Sequence, residues 1–175
     1  GEVAVIDNIN IVGNKTFSDE EILKVFELGT GGWLSFITND DRYSREKLKG
    51  DIESLTSFYK NRGYVEFTLD SSQVTITPDK KSVFITLNVI EGETYEIDEI
   101  NIAGDFPIDE EILRSLIFIQ PGDTFSQYYV TEIEELFTNI LGNEGYSFAE
   151  IKGVPDVNDE TGKVDLTFYI DPQQR

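Results

Sequence analysis

A five-residue sequence occurs twice in this chain, and this repetition restricts the available folds more than any other feature. Ile9–Gly13 (Ile-Asn-Ile-Val-Gly) returns 91 residues later as Ile100–Gly104 (Ile-Asn-Ile-Ala-Gly). In both copies an Asp-Glu-Glu-Ile-Leu sequence follows, beginning at Asp19 and at Asp109. A repeat of this length predicts two copies of one small domain, which we place at residues 1–92 and 93–175.

Composition limits the chemistry that two such domains could perform. The 175 residues include no cysteine and no histidine, which removes disulfides, thiolate metal sites and the commonest general base. Net charge is −20; residues 1–92 carry 10 basic and 15 acidic side chains, whereas residues 93–175 carry 4 and 19. Such a field repels phosphate backbones and anionic lipid surfaces. We therefore expect no nucleic acid among the partners.

The sequence also bears on membrane insertion and on the extent of the protein. No apolar run approaches the length of about 20 residues that a membrane-spanning helix needs. The chain begins inside a strand pattern and stops abruptly, which predicts that it is part of a longer protein.

Each copy predicts the same order of elements, β-α-α-β-β. In the first copy, alternating apolar residues predict a strand over residues 3–12, and Leu48, Ile52, Leu55 and Tyr59 lie at the spacing of one helix face. The predicted fold class is α+β, with each domain a three-stranded sheet covered by two helices. Such a sheet has two edges with unpaired backbone groups, which can accept a strand from another chain.

The strand after the second helix of the first copy changes the phase of its apolar pattern. Apolar residues occupy odd positions from Val65 to Leu69 and even positions at Val74 and Ile76. Because strand side chains alternate between two faces, one face cannot hold both groups unless a residue is inserted. A β-bulge within residues 70–72 is the simplest repair, and two short strands joined by a turn would be the alternative.

The longest predicted loop, residues 29–42, has almost no counterpart in the second copy. It contains Trp33, Phe36 and Ile37, three large apolar residues that we do not expect to be exposed to solvent without a binding role. These three residues either fold back onto the core or contact a partner, so they form a possible partner-binding loop.

No group of residues in the sequence predicts catalysis. The glycines at 29–32 lie where KH domains carry a phosphate-binding loop, but their surroundings are acidic and the second copy lacks them. Residues 156–167 resemble a calcium loop superficially, but the glycine stands at position seven instead of six and Thr167 stands in place of the final glutamate. The acidic runs at Asp19 and Asp109 are better explained as helix N-termini. We predict a non-enzymatic protein without cofactor or metal; a small enzyme and a calcium-stabilised adhesin are the alternative classes.

Several short sequences together resemble POTRA domains. They are Ile9–Asn14, Gly50–Asp51, Tyr59, Arg62–Tyr64, Gln73–Val74, Thr77–Lys81 and Glu91–Gly92. The insert around Trp33 and the segment 70–81 are similar to the third POTRA domain of the BamA family of outer-membrane protein assembly factors. The second copy is similar to the fourth.

The resemblance implies the periplasmic portion of an outer-membrane protein, with adjacent POTRA domains and a C-terminal β-barrel elsewhere in the full-length protein. In that family such segments dock accessory lipoproteins and guide unfolded outer-membrane proteins to insertion. POTRA domains of a two-partner secretion or autotransporter-assembly translocase are the alternative.

The resemblance also implies a position for one partner. A BamB-like lipoprotein is expected at the bulge in the second strand of the first domain, where it would bind by β-augmentation. The partner-binding residues implied there are Phe67, Asp70, Ser71, Gln73, Val74 and Ile76.

Overall fold

The computed structural model describes residues 3–28, 36–38 and 42–173, and its contacts divide the chain into two units. Unit 1 consists of Gly1–Tyr59 with Glu66–Gly92, and unit 2 of Lys60–Val65 with Glu93–Arg175. Each unit contains one sheet and two described helices. The predicted α+β class is confirmed.

Unit 1 is built on a mixed sheet. Its described elements are β1 (Val3–Val12), α1 (Asp19–Leu23), β2 (Phe36–Thr38), α2 (Arg42–Lys60), β3 (Thr68–Ile76) and β4 (Ser82–Ile90). The strand order is β2-β1-β4-β3, with β1 parallel to β4 and the other two pairs antiparallel. The three predicted strands are β1, β3 and β4. A short additional strand, β2, pairs with the first three residues of β1.

The core of unit 1 comes from every second residue of β4 and from one face of α2. Its buried side chains include Leu55, Phe58, Tyr59, Val83, Ile85, Leu87 and Val89. The Tyr59 ring stacks on that of Phe67, with 4.2 Å between their centroids. The Tyr59 hydroxyl donates a hydrogen bond of 2.7 Å to the Glu91 carboxylate. The stacking and this hydrogen bond together fix the orientation of the ring.

One carboxylate, that of Asp51 on α2, is buried in this core. Asp51 lies on the same helix face as Leu55 and Tyr59, because these residues are four positions apart. Its two oxygens accept hydrogen bonds from the backbone N–H groups of Glu27, at 2.6 Å, and Leu28, at 2.9 Å. Burial raises the pKa of Asp51, and these two hydrogen bonds oppose the rise. Asp51 therefore holds the segment after α1 against α2.

Unit 2 repeats this plan with three strands. Its elements are β5 (Glu96–Gly104), α3 (Glu110–Ser115), α4 (Gln127–Asn143), β6 (Glu150–Asn158) and β7 (Lys163–Asp171). The strand order is β5-β7-β6, with β5 parallel and β6 antiparallel to β7. Fully or nearly fully buried side chains line α4 and β7: Val130, Ile133, Phe137, Leu141, Val164, Leu166, Phe168 and Ile170.

The repeated glycine has the same role in both units. Gly13 directly follows β1 with φ of 101°, and Gly104 ends β5 with φ of 98°. A Cβ atom at Gly13 would overlap the carbonyl oxygen of Val89, and one at Gly104 would overlap that of Ile170. Both the backbone conformation and the close approach of a neighbouring strand therefore require glycine.

The two Asp-Glu-Glu-Ile-Leu sequences begin helices, as predicted. Asp19 is the first residue of α1, and Ser18 Oγ before it accepts a hydrogen bond of 3.2 Å from the N–H of Glu21. Asp109 precedes α3 and accepts a hydrogen bond of 3.3 Å from the N–H of Glu111. Acidic side chains at these positions stabilise the positive end of the helix dipole.

Candidate partner-binding edge

Strand β3 forms an open edge of the sheet in unit 1. It pairs with β4 on one side, and none of the strands described pairs with its other side. All of its residues except Leu69 are exposed. An edge of this kind presents backbone donors and acceptors to which an extended chain can bind.

The pairing of β3 with β4 is interrupted at Asp70. Leu69 lies opposite Val89 and Ser71 lies opposite Asn88, so Asp70 has no partner residue of its own. This is the bulge that the change of apolar phase predicted, in one continuous strand. Beside it, Asn88 Nδ2 donates a hydrogen bond of 2.9 Å to Ser71 Oγ.

Beyond the bulge, two apolar side chains lie on the side of the sheet that carries the core. Val74 pairs with Ile85 and Ile76 pairs with Val83, and both partners are buried. Val74 and Ile76 themselves are 50% and 49% exposed. They form a half-exposed apolar pair at the rim of the core, where an added strand could cover them.

The hydrogen-bond alternation of the ladder shows which backbone groups of β3 point outward. The N–H of Thr77 donates to the carbonyl of Ser82 at 3.0 Å, so this pair is hydrogen-bonded. Hydrogen-bonded and non-hydrogen-bonded pairs alternate along an antiparallel ladder. The free N–H and C=O groups at the outer edge therefore belong to Ile76, Val74 and Ser72.

The turn that ends β3 is held by side-chain hydrogen bonds. Thr77 Oγ1 donates to Asp79 Oδ1 at 2.6 Å, and the N–H of Lys81 donates to the same oxygen at 3.0 Å. The bond from Thr77 is the main reason that the pKa of Asp79 is lowered, and the bond from Lys81 adds to it. The turn therefore fixes the register of the outer strand.

The paired residues on the face of this sheet opposite the core are uncharged, and the two acidic residues of these strands, Asp7 and Asp70, lie at the bulges. The paired residues there are Asn8, Asn10, Val12, Thr68, Ser71, Gln73, Thr75, Phe84, Thr86, Asn88 and Ile90. None of them carries a charge, although charged residues make up 27% of the chain. Depletion of charge is typical of surfaces that become the centre of an interface.

The structure places the side chain of one predicted contact residue in the core. The Phe67 side chain is only 4% exposed, because it precedes β3 and stacks on Tyr59 in the core. Its ring is therefore unavailable to a partner. The predicted residues Asp70, Ser71, Gln73, Val74 and Ile76 all lie exposed on β3. Their role in binding stays a prediction.

Sequence reasoning did not include Ser72 among the candidate contact residues. Its relevance comes from its outward backbone groups, and these follow from the strand register. The only signal in the sequence was its spacing of two from Val74.

The predicted partner-binding loop is described in part. Trp33 lies outside the described residues. Phe36 and Ile37 belong to β2, where their backbones pair with Val5 and Ala4 of β1. Part of the loop therefore extends the sheet at the side opposite β3, and a contact of this loop with a partner stays a prediction.

The outer strand of the second sheet differs from β3. Strand β6 pairs with β7 in continuous register from Glu150 to Asn158, without a bulge. It also contains Pro155, which has no N–H group to offer to another strand. Proline and charge at an edge strand both discourage pairing with other chains. The edge at β3 is thus better suited to strand addition than the edge at β6.

Two features are absent from the described ranges, 3–28, 36–38 and 42–173. No group of three or more acidic side chains there is placed to hold a metal ion. None of the helices in those ranges combines the length and apolarity needed to cross a bilayer.

Comparison with curated proteins gives relatives along the whole chain. The outer membrane protein assembly factor BamA of Neisseria meningitidis is 28% identical over 176 residues, and that of Buchnera aphidicola is 30% identical over 171 residues. These alignments cover 100% and 97% of this chain. The chain spans 22% and 28% of the length of those proteins, so it corresponds to a portion of each.

Comparison with solved structures gives the same fold, and comparison with family profiles gives two matches along the chain. The crystal structure of Haemophilus influenzae BamA POTRA3-5 matches with a TM-score of 0.85 and 24% identity, covering 99% of this chain and 68% of that one. The POTRA profile, described as surface antigen variable number repeat, matches residues 4–92 and again residues 95–173. Because both copies match this profile over nearly their whole length, the chain belongs to the POTRA family and contains two such domains in tandem.

Proposed function

We propose that this chain is the periplasmic POTRA segment of an outer-membrane barrel protein of the BAM complex, with domains at residues 1–92 and 93–175. In this role it docks an accessory lipoprotein and guides unfolded outer-membrane proteins toward insertion. Two findings support the proposal. Its relatives carry the name outer membrane protein assembly factor, and β3 is an exposed, bulged edge strand.

The observation that carries the proposed mechanism is the unpaired outer edge of β3. An extended segment of the partner would receive hydrogen bonds from the N–H groups of Ser72, Val74 and Ile76, and donate to their carbonyls. The added strand would also cover the exposed halves of Val74 and Ile76, which would contribute about 2 kcal/mol. The bulge at Asp70 ends this regular stretch and sets the position of the partner.

The surroundings of the edge fit a surface that accepts varied sequences. Backbone hydrogen bonds do not depend on the side chains of the incoming strand. Apart from Asp70 at the bulge, β3 and its partner strand β4 place no charge next to an incoming strand. We propose that one edge therefore serves both a BamB-like lipoprotein and unfolded clients.

Proline substitution at the outward positions tests the proposal. Val74→Pro and Ile76→Pro each remove an N–H that points away from β4, so the ladder to β4 keeps its hydrogen bonds. We expect both variants to fold and to lose binding of the lipoprotein in a pull-down. Val74→Thr is the matched control, because it keeps the N–H group and the branched shape. Unchanged binding by both proline variants would show that β3 is not the docking edge.

The loop residues Trp33, Phe36 and Ile37 form a second proposed contact. Trp33→Ala tests it in the same pull-down, with circular dichroism to confirm folding. A loss of binding in this variant together with normal binding by Val74→Pro would move the proposed docking site from the edge to the loop.

A further inference from the structure

Unit 2 carries a cluster of exposed aromatic rings that the proposed function does not use. Phe118, Tyr128 and Tyr129 are 54%, 57% and 47% exposed. The ring centroids of Phe118 and Tyr129 are 5.5 Å apart, those of Tyr128 and Tyr129 are 5.9 Å apart, and both pairs meet edge to face. We call these three residues the aromatic patch.

The aromatic patch is separate from the core of unit 2. The first turn of α4 contributes Tyr128 and Tyr129 to the surface, whereas the buried face of that helix begins at Val130. Leu136, seven residues after Tyr129 and so on the same side of the helix, is also exposed. Clustered rings exposed to water are typical of interaction surfaces, where aromatic residues are enriched.

The chain segment that carries the aromatic patch is acidic. From residue 115 to residue 151 the sequence contains no lysine or arginine, and six acidic residues. Glu132 accepts a hydrogen bond from the Tyr128 hydroxyl, and the nearby charge of Glu132, more than that of Glu135, raises the pKa of Tyr128. A shallow groove beside the two tyrosines is lined by Arg62, the one basic residue among its lining side chains.

We propose that the aromatic patch binds an arginine-bearing, apolar segment of a partner protein. Guanidinium groups stack on aromatic faces and pair with carboxylates, so one arginine can satisfy both features of this surface. The apolar residues of the segment would cover the rings and Leu136. An acidic segment would be repelled, and a purely apolar one would gain nothing from Glu132 and Glu135.

The patch differs in chemistry from the edge at β3. The edge offers backbone groups on a strand whose one charge is Asp70, whereas the patch offers ring faces beside carboxylates. The two surfaces therefore select different partners, and the patch can be tested independently of strand addition.

A synthetic amphipathic peptide of about 18 residues, with leucine on one helical face and arginine beside it, is the probe. Its affinity for the chain of residues 1–175 is measured by calorimetry, and its position by NMR chemical-shift changes. Tyr128→Ser combined with Tyr129→Ser is expected to weaken binding roughly tenfold. Glu132→Gln with Glu135→Gln is expected to weaken binding and to reduce its dependence on salt.

Tyr169→Ser is the matched control. Tyr169 is 51% exposed, but it lies on the face of β7 opposite the core, away from α4. This variant is expected to bind the peptide as the unchanged chain does. Replacing arginine by lysine in the peptide should weaken binding, because lysine stacks less well on rings.

Three outcomes would overturn the proposal. In the first, the peptide binds the variant with serine at positions 128 and 129 as tightly as it binds the unchanged chain, which would show non-specific attraction to an acidic protein. In the second, the unchanged chain binds a peptide with serine in place of leucine, or with glutamate in place of arginine, as tightly as it binds the original peptide. In the third, the chain self-associates and the two tyrosine substitutions abolish this self-association. The partner bound at the aromatic patch would then be a second copy of the chain.

Discussion

At the scale of single residues, two glycines connect the repeat in the sequence to the fold. Gly13 and Gly104 occupy equivalent places, and each faces the carbonyl oxygen of a neighbouring strand at a positive φ. The sequence motif is thus conserved between the two copies because the same backbone approach occurs twice. The sequence indicated the repetition, and only the structure shows the carbonyl groups of Val89 and Ile170 that make glycine necessary.

We expect Gly104→Ala to destabilise unit 2 strongly, by about 2 kcal/mol or more, because alanine is strained at this φ and its methyl group overlaps Ile170. Gly142→Ala is the matched control. Gly142 lies in α4, and a Cβ atom added there would meet no other atom within 4 Å outside the helix's own backbone, so alanine should stabilise by up to about 1 kcal/mol. Thermal unfolding of both variants checks the pair; equal melting temperatures would contradict the expected role of Gly104.

The carboxylate of Glu91 should make the stability of the fold depend on pH. Partial burial disfavours its charged form, but hydrogen bonds from the Tyr59 hydroxyl and from Thr16 outweigh burial and lower its pKa below the ordinary 4.5. A carboxylate with a lowered pKa stabilises the folded state above its unfolded pKa, and this contribution is lost as the pH falls through the folded pKa.

We therefore expect the stability difference between the unchanged chain and Glu91→Gln to be largest above about pH 4.5 and to shrink at lower pH. Urea unfolding at a series of pH values measures it. Glu93→Gln is the control for loss of one charge, because Glu93 is an exposed neighbour. A difference that stays constant with pH would show that the ionisation of Glu91 is not linked to folding.

At the scale of elements, the two positions 74 and 75 of β3 should respond differently to proline. The N–H of Val74 points outward, whereas alternation directs that of Thr75 to β4. We expect Thr75→Pro to lower stability by about 2 kcal/mol, because it removes a hydrogen bond to β4 and leaves its acceptor unpaired, and Val74→Pro to lower it much less. Chemical denaturation of both variants measures the difference. A larger loss for Val74→Pro would mean that the outward and inward positions are reversed.

Asp51 connects two elements that the sequence presents separately. Asp51→Asn replaces one acceptor oxygen by an NH₂ group facing a backbone N–H, so a hydrogen bond to Glu27 or Leu28 is lost. We expect a loss of about 2 kcal/mol in the free energy of unfolding. Glu53→Gln, at an exposed position of the same helix, should leave it unchanged. A signal existed in the sequence, since Asp51, Leu55 and Tyr59 recur every four residues on one helix face.

Sequence patterns predicted some elements better than others. The change of phase between Leu69 and Val74 indicated the bulge, because alternation within one strand is a local property. The strand β2 was not predicted, because three residues carry no clear alternation and its pairing with β1 spans some 30 residues of chain. The burial of Phe67 was missed for a similar reason: its contact with Tyr59 is a tertiary one.

At the scale of the whole molecule, charge is the property that the sequence revealed most directly. Residues 93–175 have 4 basic and 19 acidic side chains, against 10 and 15 in residues 1–92. Repulsion among like charges destabilises a compact state and is screened by salt. We expect added sodium chloride to increase amide-exchange protection in β7 more than in β4. An equal change in both strands would show that the difference in net charge does not affect stability.

The candidate binding surfaces could be predicted from the sequence only in part. The repeat and the bulge led to β3, whereas the aromatic patch was missed because Tyr128 and Tyr129 fall just before the buried positions of α4. Their exposure depends on where the helix begins, and helix ends are the least certain part of a sequence pattern.

The alternation of backbone direction along β3 has a consequence for measurement. In the isolated chain, deuterium should replace the amide hydrogens of Ser72, Val74 and Ile76 within seconds, while those of Gln73 and Thr75 between them persist. Binding of a second polypeptide along this strand would slow hydrogen exchange at Ser72, Val74 and Ile76. Exchange at Gln73 and Thr75 would stay unchanged. The number of amide hydrogens retained from Ser72 to Ile76 would therefore show directly whether a ligand occupies the strand. The ligand would need no label.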